Sequence, residues 1–255
     1  MDADRYVIAE NLSEGWLKTV LAIRNEPGDH AVHFITRVVD PTAEVPAIRE
    51  GAQWLIDQVN AGEDDDRDGS MWDIETTRNT IFPASWAERM PKPEDLAAHY
   101  REHYSSLREY NGNGKGTYFG RVVAYPRGEK KAPGDQLSEL VRKLRVELKG
   151  GAAKGSRYEV NIYNELEDTG ATSFPCMAHL SFHCYGGQLH AQVIYRNEYL
   201  IARGYGNFLG IAQLQAYIAH ATKLSVGELI VTMGHVKLDR PKREIDAMLT
   251  QFDLG

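Results

Sequence analysis

A cysteine directly after a proline, Pro175-Cys176, is followed twenty positions later by Arg196, eleven after that by Asn207, and twenty further on by Gly227. A thiol reacts through its thiolate, so Cys176 is a candidate nucleophile if a neighbouring cation lowers its pKa. Arg196 is the candidate cation, and its planar guanidinium is also suited to a bidentate grip on a phosphate. Asn207 offers an acceptor and a donor side by side; its position also suits a plain helix cap. The other cysteine, Cys184, falls on the apolar face of an alternating strand and reads as an inert, buried thiol.

The spaced set resembles the catalytic half of thymidylate synthase, and further segments extend the likeness: Thr117-Tyr118-Phe119-Gly120-Arg121, Asp135-Gln136-Leu137 and Ser156-Arg157. The resemblance is closest over residues 117–239. It implies an α+β fold, a mixed sheet packed against long helices, with the sheet face forming a homodimer interface. It implies addition of Cys176 to C6 of a uracil nucleotide, dUMP or UMP, so that C5 becomes nucleophilic. Methylation or hydroxymethylation at C5 would follow, with 5,10-methylenetetrahydrofolate as the one-carbon donor and no metal. Tyr118 would lie beside the nucleophile. Glu50, four positions before Trp54, would stand for the catalytic glutamate that the family carries three before a Trp. On the nucleotide the resemblance places Arg157 (supplied across the dimer), Arg196, Asn197 and Asn207 as the base reader. For the sugar it offers His235, Lys237 and Asp239, of which His235 is preferred.

The pattern is broken at three places. Met177 follows the nucleophile where His is usual, and Tyr199 stands where the family has an Asp that binds the pterin. The sequence ends at Phe252-Asp253-Leu254-Gly255, without the tail that closes over folate. Tyr199 is therefore the folate-facing candidate, with weakened donor binding expected. A second function fits the same residues: a nucleotide-binding relative, catalytically altered or inactive, that senses or sequesters dUMP.

The elements that must position these groups fit one domain over residues 1–255. A net charge of -7 excludes a general binder of nucleic-acid polymers, which needs a cation excess. No apolar run is long enough for a membrane span and no signal-peptide pattern opens the chain, so a cytoplasmic protein is expected. Tyr6 to Ile23 reads as strand, turn at Gly15, and strand; residues 32–39 as a strand; residues 46–59 as a helix. Glu63-Asp64-Asp65-Asp66 reads as a solvated loop, residues 68–98 show no clear period, and residues 111–116 read as a Gly-rich turn. A helix capped by Asp135 runs from Leu137 to Leu148 and stops at Gly150-Gly151. A strand over residues 158–164 follows. A hairpin turning at Gly186-Gly187 joins the strands 178–185 and 189–195. From Phe208 to about Leu224 a helix reads as central and buried, and residues 229–238 form the last strand.

Overall fold

The computed structural model describes residues 5–61, 71–110, 113–114, 116–128, 130–151, 158–170 and 175–254. Arg157, the acidic run 63–66 and part of the Gly-rich turn 111–116 lie outside them. The fold is α+β, a mixed sheet with long helices. The strands are β1 (Tyr6–Asn11), β2 (His30–Asp40), β3 (Tyr158–Asn161), β4 (Met177–Tyr185), β5 (Gln188–Tyr195), β6 (Glu198–Tyr199) and β7 (Ser225–Lys237). Their order is β1-β2-β7-β5-β4-β3, with β6 also pairing with β7. β4 and β5 form the hairpin, in which Gly186 and Gly187 take φ of 59° and 79°, values that a side chain would strain.

The helices are α1 (Leu12–Asn25), α2 (Pro46–Ala61), α3 (Ile74–Ile81), α4 (Ala84–Arg89), α5 (Pro93–Glu109), α6 (Tyr118–Val123), α7 (Gln136–Lys149), α8 (Tyr205–Thr222) and α9 (Lys242–Gln251). None of the described helices is long and apolar enough to cross a membrane. α8 is buried on nearly every side, from Phe208 and Leu209 round to Ile211, Leu214 and Ile218, as befits a helix with no polar stripe. Inward side chains of the sheet, among them Phe34, Leu180, Phe182, Val193 and Val231, join it in one core.

The second strand expected between Gly15 and Ile23 is instead the helix α1. Asn11 caps it by accepting from the Glu14 N–H at 2.9 Å, and the Asn11 amide returns to Glu14. Leu12, Trp16, Val20 and Ile23 then fall on one buried face. Gly15 marks a close approach, not a turn: a Cβ there would meet Val38 Cγ2 of β2 at 2.8 Å. The unplaced stretch 68–98 contains α3, α4 and the start of α5. Their starts carry signals, an Asp73 cap on Thr76 N–H and Pro93 in the first turn of α5. The strand expected over 158–164 stops at Asn161, and the Asp135 cap is present, accepting from Ser138 N–H at 3.0 Å.

α8 and α3 touch almost backbone to backbone. At Gly206 an added Cβ would lie 2.6 Å from Thr77 Cβ and 2.8 Å from the Ile74 carbonyl oxygen. Overpacking of this kind typically costs about 1–3 kcal/mol. The better helix propensity of Ala returns at most about 1 kcal/mol. Gly206→Ala is therefore expected to lower stability by roughly 1–2 kcal/mol, read from its urea unfolding midpoint. A midpoint at or above that of the parent would mean that the two helices part without loss.

Candidate functional site

The C-terminal ends of β5 and β7 meet the entry to β4, and the backbone links them in one row. Arg196 N–H donates to the Cys176 carbonyl at 2.8 Å, and His235 N–H donates to the Arg196 carbonyl at 3.0 Å. β5 and β6 lie along β7 in one register, Tyr195 opposite Met233 and Glu198 opposite Val236. Arg196 and Asn197 form the break between them. Gly234 makes the close passage possible, since a Cβ there would stand 3.1 Å from the Arg196 carbonyl oxygen.

From this break two side-chain links return to the thiol. His235 Nδ1 lies 2.8 Å from Asn197 Oδ1. An amide oxygen only accepts, so Nδ1 carries the proton there. The Asn197 side chain in turn acts on the Cys176 thiol and holds its pKa down. Arg196 Nε donates to the Pro175 carbonyl at 3.2 Å. Cys176 is half-buried. Burial pushes its thiol up, Arg196 pulls it back, Glu198 pushes it further up, and Asn197 and Arg203 pull it down. Cys184, at the far end of β4, is raised by burial and then by Glu147.

Behind the thiol stands a group that the sequence reading passed over. Glu198 is 1% exposed. Its Oε1 accepts from Asn207 Nδ2 at 2.9 Å, and its Oε2 has no hydrogen-bond partner among the described residues. Burial pushes this carboxyl up to about 8; Asn207 lowers it, Asp239 raises it, and Arg203 lowers it. At neutral pH Glu198 is therefore mainly a neutral acid with an O–H to give. Asn207, read as a helix cap or a base reader, has its amide donor committed to this carboxyl.

Arg203 also escaped the sequence reading. It lies on a π-helical turn, Leu200–Gly204, that leads from β6 into α8. Asp239 holds that turn, its two carboxylate oxygens accepting from Ile201 N–H at 2.8 Å and Ala202 N–H at 3.0 Å. Trp16 Nε1 donates to the Leu200 carbonyl from the other side at 2.8 Å. The Arg203 guanidinium sits 3.9 Å from the Trp72 ring centre and lies within electrostatic reach of Tyr118, Glu198 and Cys176. Burial lowers its pKa.

Tyr118 is brought to Cys176: burial, then Cys176, push its phenol up, while the Met177 backbone pulls it down. Phe119, one place nearer Gly120, goes to the core instead. Tyr195, with a buried hydroxyl that lacks a partner among the described residues, completes the wall. Lys237 and Tyr199 form the rim, the ammonium 4.8 Å from the ring centre. Glu50 is not part of the cluster; it is exposed, on the side of α2 away from the buried Ile48, Ala52 and Leu55. Met177 is fully buried and pairs with Tyr195. Gly227 serves packing, for a Cβ there would strike His190 Nδ1 at 2.8 Å.

The family model described as Thymidylate synthase matches residues 46–252, a span that holds Cys176, Arg196, Glu198, Arg203, Asn207 and His235. No curated protein matches the chain.

A carboxyl raised to about 8 makes stability depend on pH in a defined direction. Between the ordinary carboxyl pKa and that value the native state binds more protons than the unfolded chain, so stability falls as pH rises through the window. Glu198→Gln keeps the shape and removes the titration. Chemical unfolding at pH 5, 7 and 9, values of roughly that window, is expected to show a stability decline in the parent that is much shallower in the variant. Parallel pH profiles for the two proteins would assign the neutral acid to another group.

Proposed function

This chain belongs to the thymidylate synthase family, and from that premise we propose that it is a transferase acting at C5 of a uracil nucleotide, dUMP or UMP, through addition of Cys176 to C6. The observation that carries this reading is the row Cys176–Arg196–His235 backed by the Asn207–Glu198 pair. Family membership supports transferase and nucleotide-binding chemistry in general terms.

Arg196, Arg203 and the Asn197 amide favour the thiolate form of Cys176 against the burial that opposes it. The thiolate forms the S–C6 bond, and the π electrons of the C5=C6 bond move toward C5 and O4. Asn207, with its amide donor held by Glu198, presents its Oδ1 to the base N3–H. The Glu198 O–H supplies the donor to O4, where negative charge develops. Together they read uracil by one acceptance and one donation. C5 would then bond the one-carbon unit, its proton passing to solvent as the donor's amine leaves. Addition of hydroxide (hydroxymethylation) or of a hydride from the reduced donor (methylation) to that carbon would expel the Cys176 thiolate and restore the ring. Arg196 and, from a second copy, Arg157 hold the 5′-phosphate, while His235, kept in one tautomer by Asn197, faces the sugar. A homodimer through the outer sheet face, which exposes Ile8, Val39 and Ile194, would deliver that second arginine.

The donor side is less well furnished. 5,10-Methylenetetrahydrofolate, when bound, would supply the one-carbon unit. At the pterin position this chain offers the Tyr199 ring with the Lys237 ammonium above it, not a carboxylate, so the acceptor pair for a pterin edge is missing. That mismatch favours a second reading, a relative that binds dUMP without turning it over.

Tritium release from 5-labelled dUMP in the presence of methylenetetrahydrofolate separates the two, because a binder releases none. Cys176→Ser is expected to abolish release while leaving nucleotide affinity nearly unchanged, since the thiol acts in bond formation. Undiminished release in the variant would remove Cys176 from the mechanism.

Base choice gives an independent check. Asn207→Asp withdraws the donor from Glu198 and turns the pair toward accepting an exocyclic amine. The preference for uracil over cytosine nucleotides, measured by calorimetry, is expected to fall by about tenfold or more, roughly 1.4 kcal/mol. An unchanged ratio would leave Asn207 as a structural partner of Glu198 only.

A further inference from the structure

Away from the nucleotide site, α5 carries His99, Glu102 and His103 in the spacing i, i+3, i+4, which stacks three side chains on one helical face. Their potential ligand atoms all lie within 4.8 Å of one another. The geometry points to a divalent transition-metal site here, with zinc as the fitting ion: two imidazoles and one carboxylate are a zinc donor set that leaves coordination positions for water.

Two features distinguish this cluster from a chance pair of surface histidines. His103 Nδ1 lies 2.9 Å from the His99 carbonyl oxygen. A carbonyl only accepts, so Nδ1 bears the proton and the Nε2 lone pair is left for a metal. A backbone carbonyl fixing the second ring nitrogen is the usual support of a metal-ligating histidine. Trp86 of α4 then packs against both rings, with centroid distances of 4.7 Å to His99 and 5.7 Å to His103 and steep interplanar angles of 72° and 61°. The indole limits how far the imidazoles swing. The rings already stand 4.3 Å apart, centre to centre. Zinc bonds of about 2.0–2.2 Å require ligand atoms roughly 3.3–3.6 Å apart, a closure within reach of the exposed Glu102 and His103 side chains. The inward face of α5, with Leu96, Ala97 and Tyr100 buried, is not disturbed.

The test is a zinc titration of the full-length protein, stripped of metal, against a chromophoric chelator. One zinc per chain is expected, with a dissociation constant of about 10 μM or tighter. His103→Ala and His99→Ala should each weaken binding by at least about tenfold. Zinc should raise the melting temperature of the parent and not that of His103→Ala; in the absence of zinc His103→Ala should melt like the parent, since this side chain is exposed. Copper(II) should quench the fluorescence of Trp86, seen as a smaller quench in Trp86→Phe. Zinc bound only at millimolar concentration, or bound equally well by both histidine variants, would overturn the assignment and pass the metal to other groups such as Cys176.

Discussion

Placing the Glu198 carboxyl at 1% exposure, with a single hydrogen bond among the described residues, constrains everything around it. An unpaired carboxylate at that depth is strongly disfavoured, so the group stays protonated to about 8. The neutral form needs only what the structure supplies, a donor to one oxygen from Asn207. A full salt bridge to Arg203 would hold it ionised; instead the Arg203 guanidinium lies beside Trp72 and only lowers the Glu198 pKa from a distance. The result is one buried acid and one half-buried thiol, each pushed up by burial; Arg203 acts on both, and Arg196 on the thiol.

Backbone irregularity makes this possible. A continuous β5 would send Arg196 and Asn197 to opposite faces of the sheet. The break between β5 and β6 instead leaves Asn197 between His235 and Cys176, with the register unchanged on either side. The π-helical turn that follows is the second irregularity, and such turns recur at functional sites. It is tied from both sides, by the Asp239 carboxylate on two N–H groups and by the Trp16 indole on the Leu200 carbonyl. Asp239, expected at the sugar, thus has both oxygens engaged in holding the turn that carries Arg203.

What was legible in the sequence followed from spacing. Spacing marks Cys176, Arg196, Asn207 and Gly227; the resemblance adds Asn197 and, with a two-residue gap, His235, and the structure brings all of these but Gly227 to adjoining strand ends. Tyr118 stands near Cys176 despite its offset from Gly120, because the cap at Thr117 turns α6 so that Phe119 enters the core. What was missed depended on burial, which spacing does not report. Glu198 reads in sequence as a polar residue in a loop after Arg196; only its enclosure makes it an acid. Gly15 read as a turn because the contact that requires it is with Val38 on another strand. The helices α3 to α5 are short or mostly exposed, so their periodicity is weak and only their caps announce them.

Glu50 and Glu198 pose the remaining structural question, which carboxyl serves the site. Glu50 meets the sequence expectation, on a helix close before Trp54, yet that helix buries the face formed by Ile48, Gly51, Ala52 and Leu55. Two residues along a helix rotate a side chain by roughly 200°, so with Ile48 inward Glu50 points outward. A change in side-chain rotamer does not reverse that; the whole helix would have to turn. It is pinned by Arg49, which pairs with Glu44 and with Glu75 of α3. Gly51 meanwhile lies against Met248 of α9 at a spacing with no slack, 3.1 Å to an added Cβ. In the proposed mechanism the carboxyl therefore comes from β6, where strand pairing with β7 fixes its backbone and Asn207 fixes one oxygen. A donor held by a strand and an amide is better preorganised toward O4 than one on an exposed helical turn, and this is the physical reason to assign the acid to Glu198.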